Sequence, residues 1–520
     1  MLLFFSRGNI IYHHFLSGVS AVKKRSFLFN ALFMTLTSFL LKTSDIFFGA
    51  FTAGKIGAEG IGLYSLTCSV FSFAITLSLS GLNLAVTRIV SEAAAGKKSS
   101  QMKRSVLLCA LLGLIMSSSA ATALFLFAEK LSLVFIKNPA AAPALKFLAL
   151  SLPFMALSSC MKGYLVASEK VSFSVVSNIV EQVTSIITIT LLLSSAIPKS
   201  LEFSCFSLAA GAVSSEIFVF IYLLCVCSLS KKRSISKTSI SLSGISSDIK
   251  SILSICVPTA LSSYLRSAIV TAENLLIPRG LTIFSGNSTL ALEQYGTIKG
   301  MALPVISFPS AVIVSFGILL VPEISRSFAK NNLTRVSSVA SRSLKYTLSY
   351  SCFVMCVFLF FGRSLGTALY SDAATGFFIS TLATAVPLMY LDFVTDSLLK
   401  GLGQQVNSLK YNTIDSIYRT ALVFFLIPKF GMPAYIFIII SGSLLNVFLS
   451  MRKLVSLTDM HLSLASDIIS PLVFSLLICT AIKLLSRFFL SLLPNLFSAV
   501  VPIALCCLIY AFSVKKLLKI

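Results

Sequence analysis

Apolar residues run in long blocks along this chain, interrupted by short polar or basic stretches. The blocks lie near 27–51, 61–85, 105–127, 141–165, 172–194, 203–229, 252–277, 300–321, 340–362, 374–398, 412–428, 434–450, 465–485 and 496–514. A hydrocarbon layer about 30 Å thick is crossed by ~20 helical residues. The pattern therefore predicts an all-α polytopic membrane protein of about 14 transmembrane helices, each satisfying its own backbone groups in lipid.

Composition agrees. Of 520 residues, 56% are hydrophobic and 12% charged, with a mean hydropathy of +0.93, whereas a soluble domain carries roughly 25% charged residues. A net charge of +24 on one soluble face would point to nucleic acid. Here the charge is dispersed among loops, which excludes that partner. With the N-terminus inside, most of the 42 Lys and Arg fall on one side, including Lys23 to Arg25, Lys97-Lys98, Lys231 to Arg233, Arg326 to Lys345 and Lys515 to Lys519. The positive-inside rule then predicts a cell-membrane protein with both termini cytoplasmic, and anionic membrane lipids are secondary partners of these clusters. Residues 1–26 lack a small-residue cleavage site and read as a retained cytoplasmic segment. The 12 cysteines sit mostly in apolar blocks without ligand spacing, and His13, His14 and His461 fall outside or at the edge of spans. No metal site and no cofactor are expected.

A weak repeat with a spacing of about 235 residues divides the chain. The second and eighth spans both leave through amphipathic segments, AVTRIVSEAAAGKK (Ala85 to Lys98) and LVPEISRSFAKNN (Leu320 to Asn332). The fourth and tenth end in Met161-Lys162-Gly163 and Leu399-Lys400-Gly401, each followed by a helix with an embedded acid, Glu181 or Asp415. The expected organisation is a cytoplasmic segment 1–26, an N-lobe of six spans over 27–230 and a linker over 231–251. A C-lobe of six spans over 252–455 follows, with two further spans and a basic tail over 456–520. Pro258, Pro304, Pro309, Pro322 and Pro387 mark bends in the second half.

Ionisable groups inside spans are costly unless they face a cavity or a partner. Lys42 and Asp45 share a face of the first span, and Arg266 and Glu273 share a face of the seventh. Each lobe's first helix thus offers a cation and an acid. Together with Lys299, at the start of the eighth span, they form the candidate substrate cavity between the lobes. The alternative is that each pair is a neutralised structural contact. Glu181 and Glu216, embedded in the fifth and sixth spans, are candidate proton or cation sites. Asp415 with Arg419, and Asp392 with Asp396 and Lys400, read as structural pairs. No phosphate-cradling loop or nucleophile–base arrangement stands out, so the chain reads as a transporter and not an enzyme.

Several stretches carry a resemblance. KIGAEGIGLYSL (Lys55 to Leu66), SGLNLAVTRIVSE (Ser80 to Glu92), MKGYLVASEKVSFSVVSNIVEQV (Met161 to Val183) and EQYGTIKGMALPVISFPSAVIVSFGILLVPEIS (Glu293 to Ser325) resemble, in order and spacing, the stage V sporulation protein B and polysaccharide-biosynthesis family. That family belongs to the MOP superfamily, with MATE exporters and lipid II flippases. The resemblance implies two six-helix lobes around a central cavity, alternating access, and movement of a polyprenyl-linked sugar or peptidoglycan precursor in spore or cell-wall assembly, with H+ or Na+ as a possible coupling ion. A monomer is expected. Two departures stand out. Thr184 and Ser185 follow the Glu181-Gln182 pair where relatives commonly carry an Arg, and Lys42 and Lys299 stand in the regions where lipid II flippases use arginine. Lysine keeps the charge but loses bidentate geometry. A cation-coupled MATE-type exporter of amphipathic molecules and a non-transporting scaffold for cell-wall synthesis are the alternative readings.

Overall fold

The computed structural model describes residues 21–95, 99–168, 170–194, 200–234, 245–458, 460, 469–489 and 500–510. The expected N-terminal segment up to residue 20, the centre of the linker, His461 and the basic tail lie outside them. Among the described residues all regular structure is helical.

The first lobe opens with α1 (Ala21–Leu79), broken inside by Gly57 at φ 72° and ψ 174°. A continuous helix of 59 residues would extend about 89 Å, nearly three bilayer cores. Gly57 divides it into the first two spans, in a left-handed region that a Cβ makes costly. Helix α2 (Leu82–Ala95) continues beyond Gly81, and α3 (Ser99–Leu131) ends in a π turn over Ser132–Ile136. Helices α4 (Ala142–Ala149) and α5 (Leu152–Ala167) form one span bent by 45°. Helices α6 (Val171–Ser194) and α7 (Leu201–Ser234) complete the lobe.

The second lobe repeats the plan. Helix α8 (Ile245–Ser285) is followed by α9 (Ser288–Gly296), a π turn over Thr297–Ala302, α10 (Leu303–Ser307) and α11 (Ser310–Ala329). Next come α12 (Leu333–Tyr370), α13 (Ala373–Leu382), α14 (Val386–Gly401), α15 (Gln405–Phe430) and α16 (Met432–Thr458). The fourth span of each lobe breaks at one place and restarts with a proline in its first turn, Pro153 in α5 and Pro387 in α14, where a missing N–H costs nothing. Helices α17 (Ser470–Phe489) and α18 (Val500–Tyr510) lie outside the repeat. Phe353 of α12 stacks on Tyr510 of α18 at 4.1 Å between ring centroids, and the Tyr510 hydroxyl contacts Ser349 Oγ at 2.6 Å.

Among the described residues nine helices are long and apolar enough to cross a membrane, ten with the bent α4–α5 pair. That tally takes Leu36–Val90 as one unit. Dividing it at Gly57 and adding the more polar α15 and the shorter α17 and α18 is consistent with fourteen. Helix covers both ends of the expected linker, since α7 reaches Ser234 and α8 starts at Ile245.

The lobes meet along α1 and α8, which run antiparallel. Tyr264 donates to the Leu77 carbonyl at 3.0 Å, and seven residues on Thr271 donates to that of Ser69 at 3.2 Å. Arginines tie the lobes at both ends of α8. At one end Arg104 of α3 contacts Asp248 at 2.7 Å, both side chains being buried. At the other, Arg279 donates to the main-chain carbonyls of Val134 and Phe135 in the π turn that closes α3.

Candidate functional site

Between these ends α1 and α8 part around a cavity of about 560 Å³. The sequence explains the gap. Ser65, Ser69, Ser72 and Thr76 recur every three or four residues and so fall on one face of α1, Ser80 follows one residue past its end, and all of them line the cavity. Small hydroxyl side chains there leave space that leucines would fill. Helix α8 contributes Ser263, Arg266, Ser267, Thr271 and Asn274. The gap closes at Gly81, where a Cβ would lie 3.0 Å from Cys256 Cα, and at the other end, where Gly62 and Gly296 let α1 and α9 meet backbone to backbone.

The hydroxyls are not idle. Thr76 donates to the Ser72 carbonyl at 2.8 Å, Ser80 to that of Thr76 at 2.6 Å and Ser263 to that of Thr259 at 2.8 Å. Arg266 is exposed to the cavity and makes no hydrogen bond or ion pair among the described residues, with Asp392 and Asp415 within electrostatic reach. Asn274 presents a buried Oδ1 that has no hydrogen-bond partner.

Of the residues expected to form the cavity, Arg266 alone is in its lining. Glu273 is buried at 4% exposure and turned away, its Oε1 2.8 Å from Arg419 Nη2 of α15. The expected partnership of Arg266 with Glu273 is therefore replaced by one between Glu273 and Arg419. A buried carboxylate is stable only against a close cation, and the neighbouring helix supplies it. Arg419 also reaches Asp415, as expected from their spacing, but at 3.9 Å. Asp45 accepts from Gln182 of α6 at 2.6 Å and has Lys42 within electrostatic reach, both outside the lining. Lys299 is half-buried on the π turn beside Tyr295, also outside it.

Glu181 and Glu216 come together inside the N-lobe. Lys162 Nζ lies 3.7 Å from Glu181 and donates to Asn178 at 3.2 Å, and Glu216 faces the same two charges. One lysine thus serves two carboxylates. Among the described residues no three His, Cys, Asp or Glu are grouped so as to hold a metal ion. Sequence reasoning missed the hydroxyl face of α1, although its spacing of three and four is a helical period open to inspection. It also missed the reach of Arg419 to Glu273, for which a single helix carries no signal.

Comparison with known proteins places this geometry. Residues 31–191 match the MatE family. The chain is 23% identical over 430 residues to stage V sporulation protein B of Bacillus subtilis (strain 168), covering 82% of this chain and 83% of that one. It is 22% identical over 326 residues to sporulation protein YkvU of the same organism, covering 61% and 70%. Among solved structures, the lipid II flippase MurJ in an inward closed conformation superposes with a TM-score of 0.67 at 13% identity, over 94% of this chain and 99% of the other. An inward-facing multidrug resistance MATE transporter of the MOP superfamily gives 0.61 at 12% identity, over 81% and 96%. The fold is that of MATE and MurJ.

Proposed function

We propose that this chain, a multi-pass membrane protein with a MatE domain at residues 31–191, is a transporter of the MOP superfamily that flips a lipid-linked oligosaccharide or peptidoglycan precursor by alternating access. The observation that carries the reading is the cavity between α1 and α8, hydroxyl-lined and with Arg266 as its cation. Its size falls in the range of ligand sites, ~300–1,000 Å³. Hydroxyls suit sugar, and an arginine without a protein partner suits a phosphate. The relatives named for sporulation and for lipid II support the substrate class. In this reading the Arg104 end faces the cytoplasm, as the positive-inside rule applied to the basic clusters suggests.

Transport in this reading needs the two ends of α8 to release in turn, one arginine tie opening while the other holds. The acidic cluster of Glu181 and Glu216, with Asp45 nearby on α1, is the place where a proton or Na+ would bind. That same cluster is the observation favouring a MATE-type, cation-coupled export of amphipathic molecules as the second reading.

The test is translocation of fluorescent lipid II and of polyprenyl-linked sugars in proteoliposomes. Arg266→Ala lowers the initial rate at least about tenfold, and Arg266→Lys falls between. Well-folded protein that moves none of these lipids under any proton or Na+ gradient defeats the proposal, and efflux of amphipathic cations in the same vesicles favours the second reading.

A further inference from the structure

The eighth span is built in pieces, and its pieces pack on different lobes. Helix α9 and the π turn after it lie against α1 of the N-lobe. A Cβ on Gly296 would meet the Ala58 carbonyl and the Gly62 backbone, and one on Gly300 would meet the Ile61 side chain. Helix α11 lies against α14 of the C-lobe. A Cβ on Gly401 would stand 2.8 Å from Ile324 Cβ, one on Gly317 would stand 2.6 Å from Ser397 Oγ, and Ser325 donates to the Gly401 carbonyl at 2.8 Å. Surfaces packed this closely shift as units and do not slide past one another. The first piece also touches the C-lobe, where Thr375 Oγ1 lies 3.4 Å from Met301 Sδ, but a thioether is a weak acceptor.

Between the pieces the helical ladder is interrupted. Pro309 has no N–H for the Val305 carbonyl, which takes the Phe308 amide at 3.2 Å instead. Side chains cover the carbonyls that follow. Tyr390 of α14 donates to Ile306 at 3.0 Å, Ser310 to Ser307 at 2.6 Å and Tyr350 of α12 to Pro309 at 3.0 Å. The two tyrosine rings stack at 6.2 Å between centroids. A proline turn whose carbonyls are met by side chains can change its φ and ψ without baring them to lipid. The other end of the first piece is free to turn as well, since Gly286, at φ 69°, has nothing within 4 Å of where a Cβ would stand.

We infer that the eighth span is a jointed connector. Its first piece, α9 to α10, moves with the N-lobe and α11 moves with the C-lobe, the span turning at Ser307 to Pro309 about a pivot formed by Tyr350 and Tyr390. Hinges elsewhere are likewise a few residues at the ends of elements. This device rests on the lobe movement of the flippase reading and deepens it. A rigid eighth span would have to break one of its two close packings whenever the lobes part, whereas a joint lets both persist.

Spin labels carried by a noncanonical amino acid in the full chain, in nanodiscs, test the connector by double electron–electron resonance. Leu133 with Ser364, and Phe173 with Val406, report the separation of the lobes at two places. Leu290 on α9 and Phe328 on α11 report the pieces, and all six positions are exposed. Distances are read in acidic and alkaline buffer, with and without Na+ and added lipid II. As the lobe distances shift, Leu290 is expected to keep its distance to Leu133 and change it to Ser364, while Phe328 keeps its distance to Val406 and changes it to Phe173. Pro309→Ala returns an amide to the Val305 carbonyl, stiffens the joint and lowers the shifted population at least about fivefold. Where that variant does not fold, the label pairs in the otherwise unmodified chain decide alone. Leu290 following Ser364 instead of Leu133 overturns the inference, and the flippase reading stands. Lobe distances fixed in every condition overturn both. Pieces that part as described in a protein that moves no lipid-linked sugar sink the flippase reading and leave the joint.

Discussion

Glu273 and Arg419 form an ion pair inside the C-lobe whose acid is buried. With Glu273 4% exposed and its partner 2.8 Å away, replacing the acid alone leaves a guanidinium poorly compensated, because Asp415 lies 3.9 Å off. Glu273→Gln is expected to cost about 3–5 kcal/mol, read as a fall in the unfolding midpoint in detergent, and Glu273→Gln with Arg419→Met recovers most of it. A double variant as unstable as the single one would remove the pair from the account. Asp372 is a milder case outside the spans. Partial burial pushes its carboxyl up, but Thr375 Oγ1 at 2.6 Å and the Thr375 and Ala374 amides at 2.9 and 3.0 Å donate to it and hold it below the usual carboxylate range. A depressed carboxylate stabilises above its unfolded pKa, and that contribution is lost as the pH falls through the folded one. Thermal melts below about pH 4 should therefore decline more steeply for the unmodified protein than for Asp372→Asn, which keeps a capping oxygen.

At the scale of elements, hydropathy made most spans legible, because twenty apolar residues in a row have few fates. It placed the first two spans at 27–51 and 61–85 with a loop between, whereas helix persists on both sides of one residue, Gly57. Apolar blocks report where lipid is, not how few residues reverse the chain. The paired charges on the first and seventh spans were readable as neighbours along a helix. Their partners across helices, Gln182 for Asp45 and Arg419 for Glu273, were not, since helical periodicity fixes a face but not what opposes it. The approach of α9 to α1 is another contact of this kind. Gly296 has the Ala58 carbonyl and the Gly62 backbone where a side chain would start, and backbone does not step aside as a flexible side chain does. Gly296→Val should destabilise by at least about 1–3 kcal/mol, seen as a lower melting temperature and less monodisperse protein. Wild-type behaviour of that variant would mean that the two helices are not so close.

For the whole molecule, the polar ties between the lobes among the described residues include the Arg104–Asp248 pair and the Arg279 bonds to the π turn, so a change in one of them should shift how the lobes sit together. Removing the Arg104–Asp248 contact by Asp248→Asn should raise deuterium uptake around residues 80–90 and 248–260, while uptake near the Arg279 tie stays as it was. Uniform uptake changes along the chain would indicate general unfolding instead. From Asp248 to Arg279 the helix rises about 47 Å at ~1.5 Å per residue, well beyond the ~30 Å hydrocarbon layer. A helix of that length brings both arginine ties toward the depth of lipid headgroups, and at the partly exposed Arg279 tie phosphates compete with the π-turn carbonyls for guanidinium. The surrounding bilayer is in that sense a third party to the contact between the lobes, and the rate at which they separate should rise with the fraction of anionic lipid.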